Sequence, residues 1–330
     1  MSNFRRFLIE FSYNGARFSG VAKQTNNPNT VHNVIHDNLK NTLVNSYDVK
    51  SDIRISSRTD AGVHALLNTA HFDLLKLDDL DDQDLCKNIK NSLNTIFIDK
   101  KILIRVLNCR EVDPRFVSRH AKSRTYLYRL GYLNNGPMYS KELETIRKID
   151  RCLERDSFNF SLPYLFPLSG FLSILDADCV TELREPFNRD LFFKALELFN
   201  VEKDFSAFTT KQARDEMVAK NKNPIKKVEL IYRTNNTQFL SDYLHSYHEK
   251  YEIIELEIKS TSFLYRMIRK MVGAASDVAR GLIPIEQINH MLNNPEKYYF
   301  TNLTSVMKPN GLFLKNVEYD EEKLKFEKSK

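Results

Sequence analysis

The order of local patterns in the first 112 residues is the feature that most constrains the fold. Phe7, Ile9 and Phe11 recur at every second position, the period of a strand, and Asn14-Gly15 is a turn signal. Segment 30–45 then places apolar residues at helical spacing behind Thr30, a plausible N-cap. The series continues with strands at 52–56 and 68–75, a helix through Leu85, Ile89 and Leu93, and a strand at 100–112. This order predicts an α+β half-barrel or ferredoxin-like unit.

The second half of the chain repeats this order loosely. Its patterns predict strands at 123–133, 225–233, 251–260 and within 306–319, and helices at 188–200 and 262–282. We interpret the repeat as a pseudo-duplicated fold with a cleft between two lobes, residues 1–114 and residues 115–330. The proline-interrupted stretch 134–187 gives mixed signals and is interpreted as a peripheral insertion.

Charge is distributed unevenly along a mildly basic chain. The 330 residues carry a net charge of +6, so the local distribution decides whether a polyanion is a partner. Acidic residues gather at 77–85, whereas 115–129 contains five basic residues and no acid, namely Arg115, Arg119, Lys122, Arg124 and Arg129. With Tyr126 in the same stretch, the pattern indicates a track for phosphates and a stacked base. A solvated strand edge is the alternative.

Cysteine spacing and hydropathy exclude several classes of protein. The four cysteines, Cys86, Cys109, Cys152 and Cys179, form no Cys-x-x-Cys pair, so we expect neither a metal site nor a disulfide framework. No apolar run approaches the length of a membrane-spanning helix, and the first residues enter a strand without a signal-peptide block. We therefore expect a reducing compartment, either the cytoplasm or the mitochondrial matrix, and no membrane partner.

Segment 58–64, Arg-Thr-Asp-Ala-Gly-Val-His, is the strongest candidate for chemistry. Ordinary turn formation is the alternative, because Asp-Ala-Gly suits a turn. A single carboxylate, Asp60, does not meet the usual requirements of glycoside hydrolysis, which uses two carboxylates. It does not meet those of Mg²⁺ chemistry either, which uses several oxygen ligands. One carboxylate suffices as a nucleophile when a guanidinium orients it, which predicts covalent catalysis.

Three basic residues on a late apolar helix supply a candidate partner for Asp60. Arg266 and Arg269 are neighbours on one side of the 262–282 helix, next to Lys270. Surface ion pairing is the common role of such arginines. An arginine that entered the cleft to meet Asp60 would be functional.

Six ordered motifs resemble one known family over nearly the whole chain. They are YNGARFSGVA at 13–22, SSRTDAGVHAL at 56–66, KSRTYLYRL at 122–130, KDFSAF at 203–208, SFLYRMIRKMVG at 262–273 and GLFLKNVEY at 311–319. Together they resemble the TruA family of tRNA pseudouridine synthases, and most closely its animal tRNA pseudouridine synthase-like branch. The chain departs from many members at Gly20-Val21-Ala22, where Trp-Gln is common, and at 306–310.

The resemblance implies a fold, a reaction and a set of partners. The fold would be two ferredoxin-like lobes sharing a mixed, largely antiparallel central sheet with a basic cleft between them. The activity would be isomerisation of uridine to pseudouridine in the tRNA anticodon stem-loop, near positions 38 to 40, without a metal or other cofactor. A homodimer would bind tRNA across both subunits. A non-catalytic RNA chaperone and a synthase acting on mRNA or another structured RNA are the alternatives.

The resemblance also implies roles for individual residues. Asp60 matches the nucleophile, Tyr126 the tyrosine that packs on the target base, and Arg269 the partner of Asp60. Arg58 would help to displace the target nucleotide, and His64 would line the same site. The remaining basic residues of the cleft are expected to contact RNA: Arg115, Arg119, Lys122, Arg124, Arg266 and Lys270.

Overall fold

The computed structural model describes residues 4–43, 47–49, 52–76, 84–133, 172, 176–183, 187–235, 251–297 and 304–324. Its strands are β1 (Phe4–Tyr13), β2 (Tyr47–Val49), β3 (Arg54–Ile55), β4 (His64–Lys76), β5 (Ile104–Val112), β6 (Ser123–Leu133), β7 (Thr181–Glu182), β8 (Glu202–Asp204), β9 (Ile225–Lys227), β10 (Glu229–Asn235), β11 (Tyr251–Ser260) and β12 (Leu312–Glu318). Its helices are α1 (Val31–Leu43), α2 (Leu85–Asp99), α3 (Arg189–Glu197), α4 (Lys211–Ala219), α5 (Met267–Ala279), α6 (Glu286–Asn293) and α7 (Glu321–Leu324).

One large mixed sheet joins the two halves of the chain. Its strand order is β10-β11-β6-β12-β4-β1-β5, with β2 and β3 paired to β4 and β7 paired to β6. The strands from the first 112 residues occupy one side of the sheet and the later strands the other. They meet where β12 runs parallel to β4, with Phe313 opposite His64 and Leu314 opposite Ala65. The α+β class and the shared mixed sheet predicted from the sequence are therefore confirmed.

The hydrophobic core is continuous across that junction. One cluster includes Phe7 and Phe72 from the first half and Tyr128, Leu256 and Met271 from the second. Helix α5 lies within it, and almost all of its residues are buried. The division into lobes at residues 114 and 115 stays a prediction.

Several elements follow the sequence patterns closely. Thr30 Oγ1 accepts a hydrogen bond from Asn33 N at 3.2 Å at the start of α1, and Asn188 accepts one from Leu191 N at 3.0 Å at the start of α3. These are the contacts by which an N-cap residue satisfies an unpaired helical N–H group. The predicted Thr30 cap is therefore confirmed, and Asn188 caps α3 in the same way.

Three predictions differ from the structure in extent. The helix expected over 262–282 begins at Met267, because Arg266 adopts the left-handed conformation, with φ of 58°. The strand expected over 225–233 is divided into β9 and β10. Much of the expected insertion lies outside the described residues, yet β7 within it pairs with β6 in the central sheet.

Neither a membrane-spanning helix nor a disulfide bond occurs among the described residues. No helix among them is both long and apolar enough to cross a membrane. Cys86, Cys109 and Cys179 are free thiols, and Cys152 lies outside the described residues.

Candidate active site

Asp60 begins a tight turn between the short strand β3 and the long strand β4. Its carbonyl oxygen accepts a hydrogen bond from Val63 N at 3.2 Å. Gly62, the third residue of the turn, has φ of +80°, which is the conformation that a type II turn requires at this position. A Cβ atom here would also lie 2.8 Å from Cγ of Pro309. The turn therefore depends on glycine for both its backbone angle and its packing.

A buried polar network holds the backbone on the N-terminal side of this turn. The Tyr13 hydroxyl is 2.8 Å from Thr59 Oγ1, and Asn68 Nδ2 donates to Ser57 O at 3.0 Å. Val21 N donates to Thr59 O at 3.2 Å. Burial raises the pKa of Tyr13 to about 12, so its hydroxyl is neutral at physiological pH. The residues leading into Asp60 are thus fixed by hydrogen bonds before any substrate is bound.

Arg269, 209 positions away in the chain, holds the Asp60 carboxylate. Its Nη1 donates to Asp60 Oδ2 at 2.7 Å, and its Nε donates to Met307 O at 2.7 Å. Met307 N donates back to Arg269 O at 3.1 Å. The side chains of Asp60 and Arg269 are only 18% and 13% exposed, so their charge-assisted hydrogen bond is partly shielded from water. The predicted meeting of these two residues is present in the structure.

Arg266 provides a second, looser positive charge near the same carboxylate. Its Nε lies 3.9 Å from Asp60 Oδ2, its side chain is 40% exposed, and its guanidinium stacks over Tyr265 at 5.0 Å. Arg269 itself belongs to the first turn of α5, where the helix dipole also favours negative charge. Both features stabilise an anion on Oδ2. The other oxygen, Oδ1, makes no hydrogen bond within the described part of the chain.

Tyr126 reaches the same site from β6. Its ring is 8% exposed and meets Phe263 edge-on, with ring centroids 5.3 Å apart. Burial raises the pKa of Tyr126, with smaller contributions from Tyr13 and Asp60, so the hydroxyl is neutral. The ring offers an apolar surface beside the carboxylate.

His64 is placed differently from its expected role. Its ring is buried, stacks on Phe313 at 4.6 Å, and does not line the cavity around Asp60. Nδ1 accepts from Gly15 N at 3.1 Å, so Nε2 carries the proton and donates to Asn310 O at 2.9 Å. Burial lowers the pKa of His64, which keeps this neutral tautomer. The geometry makes His64 a support for the 304–311 segment.

These residues line a cavity of about 790 Å³ that opens to the surface. Two carboxylates line it, Asp60 and Glu216, the latter on α4 and paired with Lys220 at 3.4 Å. The basic residues that line it are Arg58, Arg119, Arg124, Lys222, Lys226, Arg266 and Arg269. Within the described ranges, no group of three or more His, Cys, Asp and Glu residues could hold a metal ion. The cavity has the size of a ligand site and the charge that a phosphate backbone would require.

The residues expected to contact RNA fall into two groups. Arg58 and Arg119 are exposed at the cavity, and Arg266 is half-exposed beside Asp60. Arg124 also lines the cavity, but its guanidinium donates to Ser57 Oγ at 2.9 Å and to three backbone carbonyls, those of Thr261, Arg119 and Ser56.

The other three predicted RNA contacts lie away from the cavity lining. Arg115 is 91% exposed and paired with Asp113 at 2.9 Å, and Lys122 is exposed. Lys270 is buried, and its Nζ donates to Thr209 O at 2.8 Å. Burial lowers the pKa of Lys270 to about 8. The position of Lys270 disagrees with the expected RNA contact, because the side chain forms part of the protein interior.

Sequence reasoning missed the segment 304–311 and the residues that fix it. Tyr128 donates its hydroxyl to Lys308 O, and buried Asp277 accepts from Ser305 N and from Ser305 Oγ at 2.8 Å. Tyr128 shares a strand face with Tyr126, which is a detectable signal. The residues that contact the 304–311 segment are about 28 to 246 positions away from their partners in it, and no local pattern reveals such pairs.

The fold and site define an α+β protein with a basic cleft built around one aspartate–arginine pair. The model of the family described as tRNA pseudouridine synthase matches residues 195–320. The chain is 26% identical over 315 residues to tRNA pseudouridine synthase A of Ehrlichia chaffeensis, covering 95% of this chain and all of that protein. It is 28% identical to tRNA pseudouridine synthase-like 1 of Xenopus laevis and of Mus musculus, covering 96% of this chain and 91% and 94% of those proteins.

The chain is therefore similar to tRNA pseudouridine synthases of the TruA family, including the animal tRNA pseudouridine synthase-like 1 proteins, over nearly its whole length. Arg269 falls within the range that the family model matches, whereas Asp60 and Tyr126 lie before it. Similarity to the full-length relatives extends over the earlier half, in which those two residues lie.

Proposed function

We propose that this protein isomerises uridine to pseudouridine in the anticodon stem-loop of tRNA, near positions 38 to 40, with Asp60 as the nucleophile. One observation carries the proposal. The Asp60 carboxylate lies at a cavity with Oδ2 held at 2.7 Å by Arg269, while Oδ1 accepts no hydrogen bond from the described residues. An orienting cation on one oxygen and an available second oxygen are what a carboxylate nucleophile needs.

The reaction requires one bond to break and another to form between the same two rings. The C1′–N1 bond breaks, the base turns, and a C1′–C5 bond forms, while C5 loses a proton and N1 gains one. Atoms and electrons balance within the substrate. Attack by Asp60 at C1′, at C6, or assistance to a glycal route are all compatible with a single oriented carboxylate. Arg269 keeps that carboxylate in place throughout.

Tyr126 and Arg58 supply the remaining roles. The Tyr126 ring, fixed edge-on against Phe263, provides a stable platform for the target base. Its neutral hydroxyl is available to pass the C5 proton. The target base must leave its stack, which costs a few kcal/mol. Arg58 lies exposed at the cavity, where its guanidinium can help to displace the target nucleotide from its stack.

The assembly and the domain roles belong to the same proposal. Residues 1–114 supply Asp60, and residues 115–330 supply Tyr126 and Arg269, so the cleft between these lobes is the catalytic site. A homodimer would let one tRNA contact two subunits. The basic cavity supports a polyanionic substrate, because neutralised phosphates dominate the affinity of RNA-binding surfaces.

Release of tritium from tRNA labelled at C5 of uridine tests the activity directly. Wild-type protein should release tritium from tRNA, and Asp60→Ala should not, while it still binds tRNA because one carboxylate adds little to a phosphate-dominated interface. No release by the wild type would favour the RNA chaperone. Release from mRNA but not from tRNA would favour the other substrate class. Mapping pseudouridines in the product tests positions 38 to 40.

A further inference from the structure

Three arginines, two of which line the cavity, lie close together at its edge. Arg54 is on β3, Arg58 precedes the Asp60 turn, and Arg119 precedes β6. All three are exposed, and Arg58 and Arg119 line the cavity directly. Burial lowers the pKa of Arg119, and the positive charges of Arg58 and Arg54 lower it further. Their guanidinium groups make no ion pair with a carboxylate in the described segments of the chain.

A buried network fixes the backbone at two of these arginines. Ser118 Oγ donates to Arg54 O at 2.6 Å, which ties β3 to the residue before Arg119. Ser118 N donates to His71 Nδ1 at 3.1 Å, and Tyr319 donates its hydroxyl to Ser118 O at 2.6 Å. Ser118 and His71 are 0% and 3% exposed. The approach of Arg54 and Arg119 is therefore built into the fold.

A second contact fixes Arg119 from the other side. Arg124 Nη2 donates to Arg119 O at 3.0 Å. The guanidinium of Arg124 is occupied by these internal hydrogen bonds, in contrast to those of the three crowded arginines. Holding like charges together opposes stability unless an anion neutralises them. The fold thus maintains an unfavourable charge cluster at the edge of the cavity.

We propose that Arg54, Arg58 and Arg119 form a preorganised binding site for a backbone phosphate of the RNA, adjacent to the nucleotide that enters the cavity. The identity of the RNA rests on the proposed function, whereas the anion site rests on the arginine cluster alone. Guanidinium groups match phosphate oxygens in a bidentate geometry. Arg54 stands outside the cavity lining and would reach the phosphate from the strand side, so its contribution is to binding rather than to chemistry.

The first test measures RNA affinity as a function of salt in a catalytically inert background. Arg54→Gln in Asp60→Ala protein should bind an anticodon stem-loop RNA about 5- to 10-fold more weakly at moderate salt, with the slope of log K against log salt reduced by about 1. The matched control is Arg105→Gln, which removes the same charge from β5 outside the cavity lining and should leave affinity and slope nearly unchanged. Equal affinity and slope for Arg54→Gln and its parent would overturn the proposal.

The second test locates the phosphate by a double-mutant cycle. RNAs with one neutral methylphosphonate at successive linkages around the target uridine are bound to the parent and to the Arg54→Gln protein. At one linkage, the methylphosphonate should weaken binding of the RNA to the parent protein about tenfold. The same substitution should weaken binding to the Arg54→Gln protein much less. If the losses of binding free energy from Arg54→Gln and from the methylphosphonate were additive at every linkage, a specific phosphate site would be contradicted. Far-ultraviolet circular dichroism and thermal melting confirm that the variant is folded.

Failure of this inference is distinguishable from failure of the proposed function. Tritium release is measured on protein with Asp60 intact, and binding on the Asp60→Ala protein. An active wild type with no coupling at any linkage removes only the phosphate site. Coupling at one linkage without tritium release by the wild type supports the phosphate site and removes the synthase activity.

Discussion

The two walls of the cavity present the same kind of ion pair in two very different settings. On one wall, Asp60 and Arg269 are 18% and 13% exposed and 2.7 Å apart, and Arg269 is also bonded to Met307 O. On the other, Glu216 lies on α4 and Lys220 directly follows that helix. Their side chains are 58% and 59% exposed and their charged groups are 3.4 Å apart. The first pair is held by a buried framework, and the second is an ordinary i,i+4 surface pair. We therefore expect any carboxylate chemistry in the cavity to depend on this framework and not merely on the presence of an acid.

The largest expected effect comes from replacing each carboxylate by its amide. Asp60→Asn should lower kcat for tritium release by about 1000-fold or more, because the amide is a poor nucleophile. Glu216→Gln should change kcat by less than about twofold, because an exposed pair contributes little. Both variants should melt within a few degrees of the wild type. Comparable losses in the two variants would break the distinction between the walls.

The next largest effect distinguishes the two arginines near Asp60. Arg269→Lys should lower kcat by about 100-fold, because lysine cannot bond Asp60 and Met307 O with the same planar group. Arg266→Lys should lower kcat by less than about tenfold, because its 3.9 Å contact is already loose and half-exposed. Single-turnover kinetics at saturating RNA measures both. Near-normal turnover by Arg269→Lys would remove Arg269 from the site.

Local sequence pattern predicts much of the fold and less of the site. Helices α1 and α3 and strands β1 and β6 follow from apolar spacing and capping residues, because these signals are local. The late start of α5 was missed, because the left-handed φ of Arg266 leaves no trace in hydrophobic periodicity. The burial of Lys270 was also missed. Its charge suggested a surface position, whereas the Thr209 carbonyl satisfies it inside the protein.

The pairing of Asp60 with Arg269 could be predicted only through family resemblance. The two residues are separated by 209 positions, and composition or spacing cannot bring them together. The same limit applies to the 304–311 segment, whose partners come from β4, β6, β7 and α5. Such contacts are properties of the sheet order rather than of any single element.

The framework behind the Asp60 wall should respond to pH through His71. Burial is the main cause that lowers its pKa to about 4, followed by the charge of Arg6, with Asp73 opposing and Arg54 and Arg119 adding smaller effects. The unfolded chain therefore binds more protons than the folded one between about pH 6.5 and 4. The contribution of His71 to the free energy of unfolding is therefore fully present above about pH 6.5. It is lost as the pH falls toward 4, which lowers the free energy of unfolding by about 3 kcal/mol at most.

Urea unfolding at a series of pH values measures this loss. His71→Gln should flatten the dependence between pH 6.5 and 4 in part, since burial also lowers the pKa of His64. His120→Gln, at an exposed position before β6, is the matched control and should change the pH profile much less than His71→Gln. An unaltered profile for His71→Gln would show that His71 does not link the framework to pH.

The smallest expected effect tests whether the 304–311 segment acts on catalysis through Arg269. Tyr128→Phe removes the hydroxyl that donates to Lys308 O, while Thr181 Oγ1 still donates to that oxygen at 3.2 Å. The free energy of unfolding should fall by about 1 kcal/mol, the usual net value of one hydrogen bond. Because Met307, the neighbour of Lys308, holds Arg269, kcat should also fall by roughly two- to fivefold.

Tyr132→Phe is the matched control, because it deletes a hydroxyl on the same strand that donates to Glu252, away from the 304–311 segment. It should lose a similar stability and keep its kcat. Equal changes of kcat in the two variants would mean that both act through general loosening of β6. A loss of kcat confined to Tyr128→Phe would show that the 304–311 segment positions Arg269. Through Arg269 the segment would then also position the Asp60 carboxylate, at the junction between the two halves of the sheet.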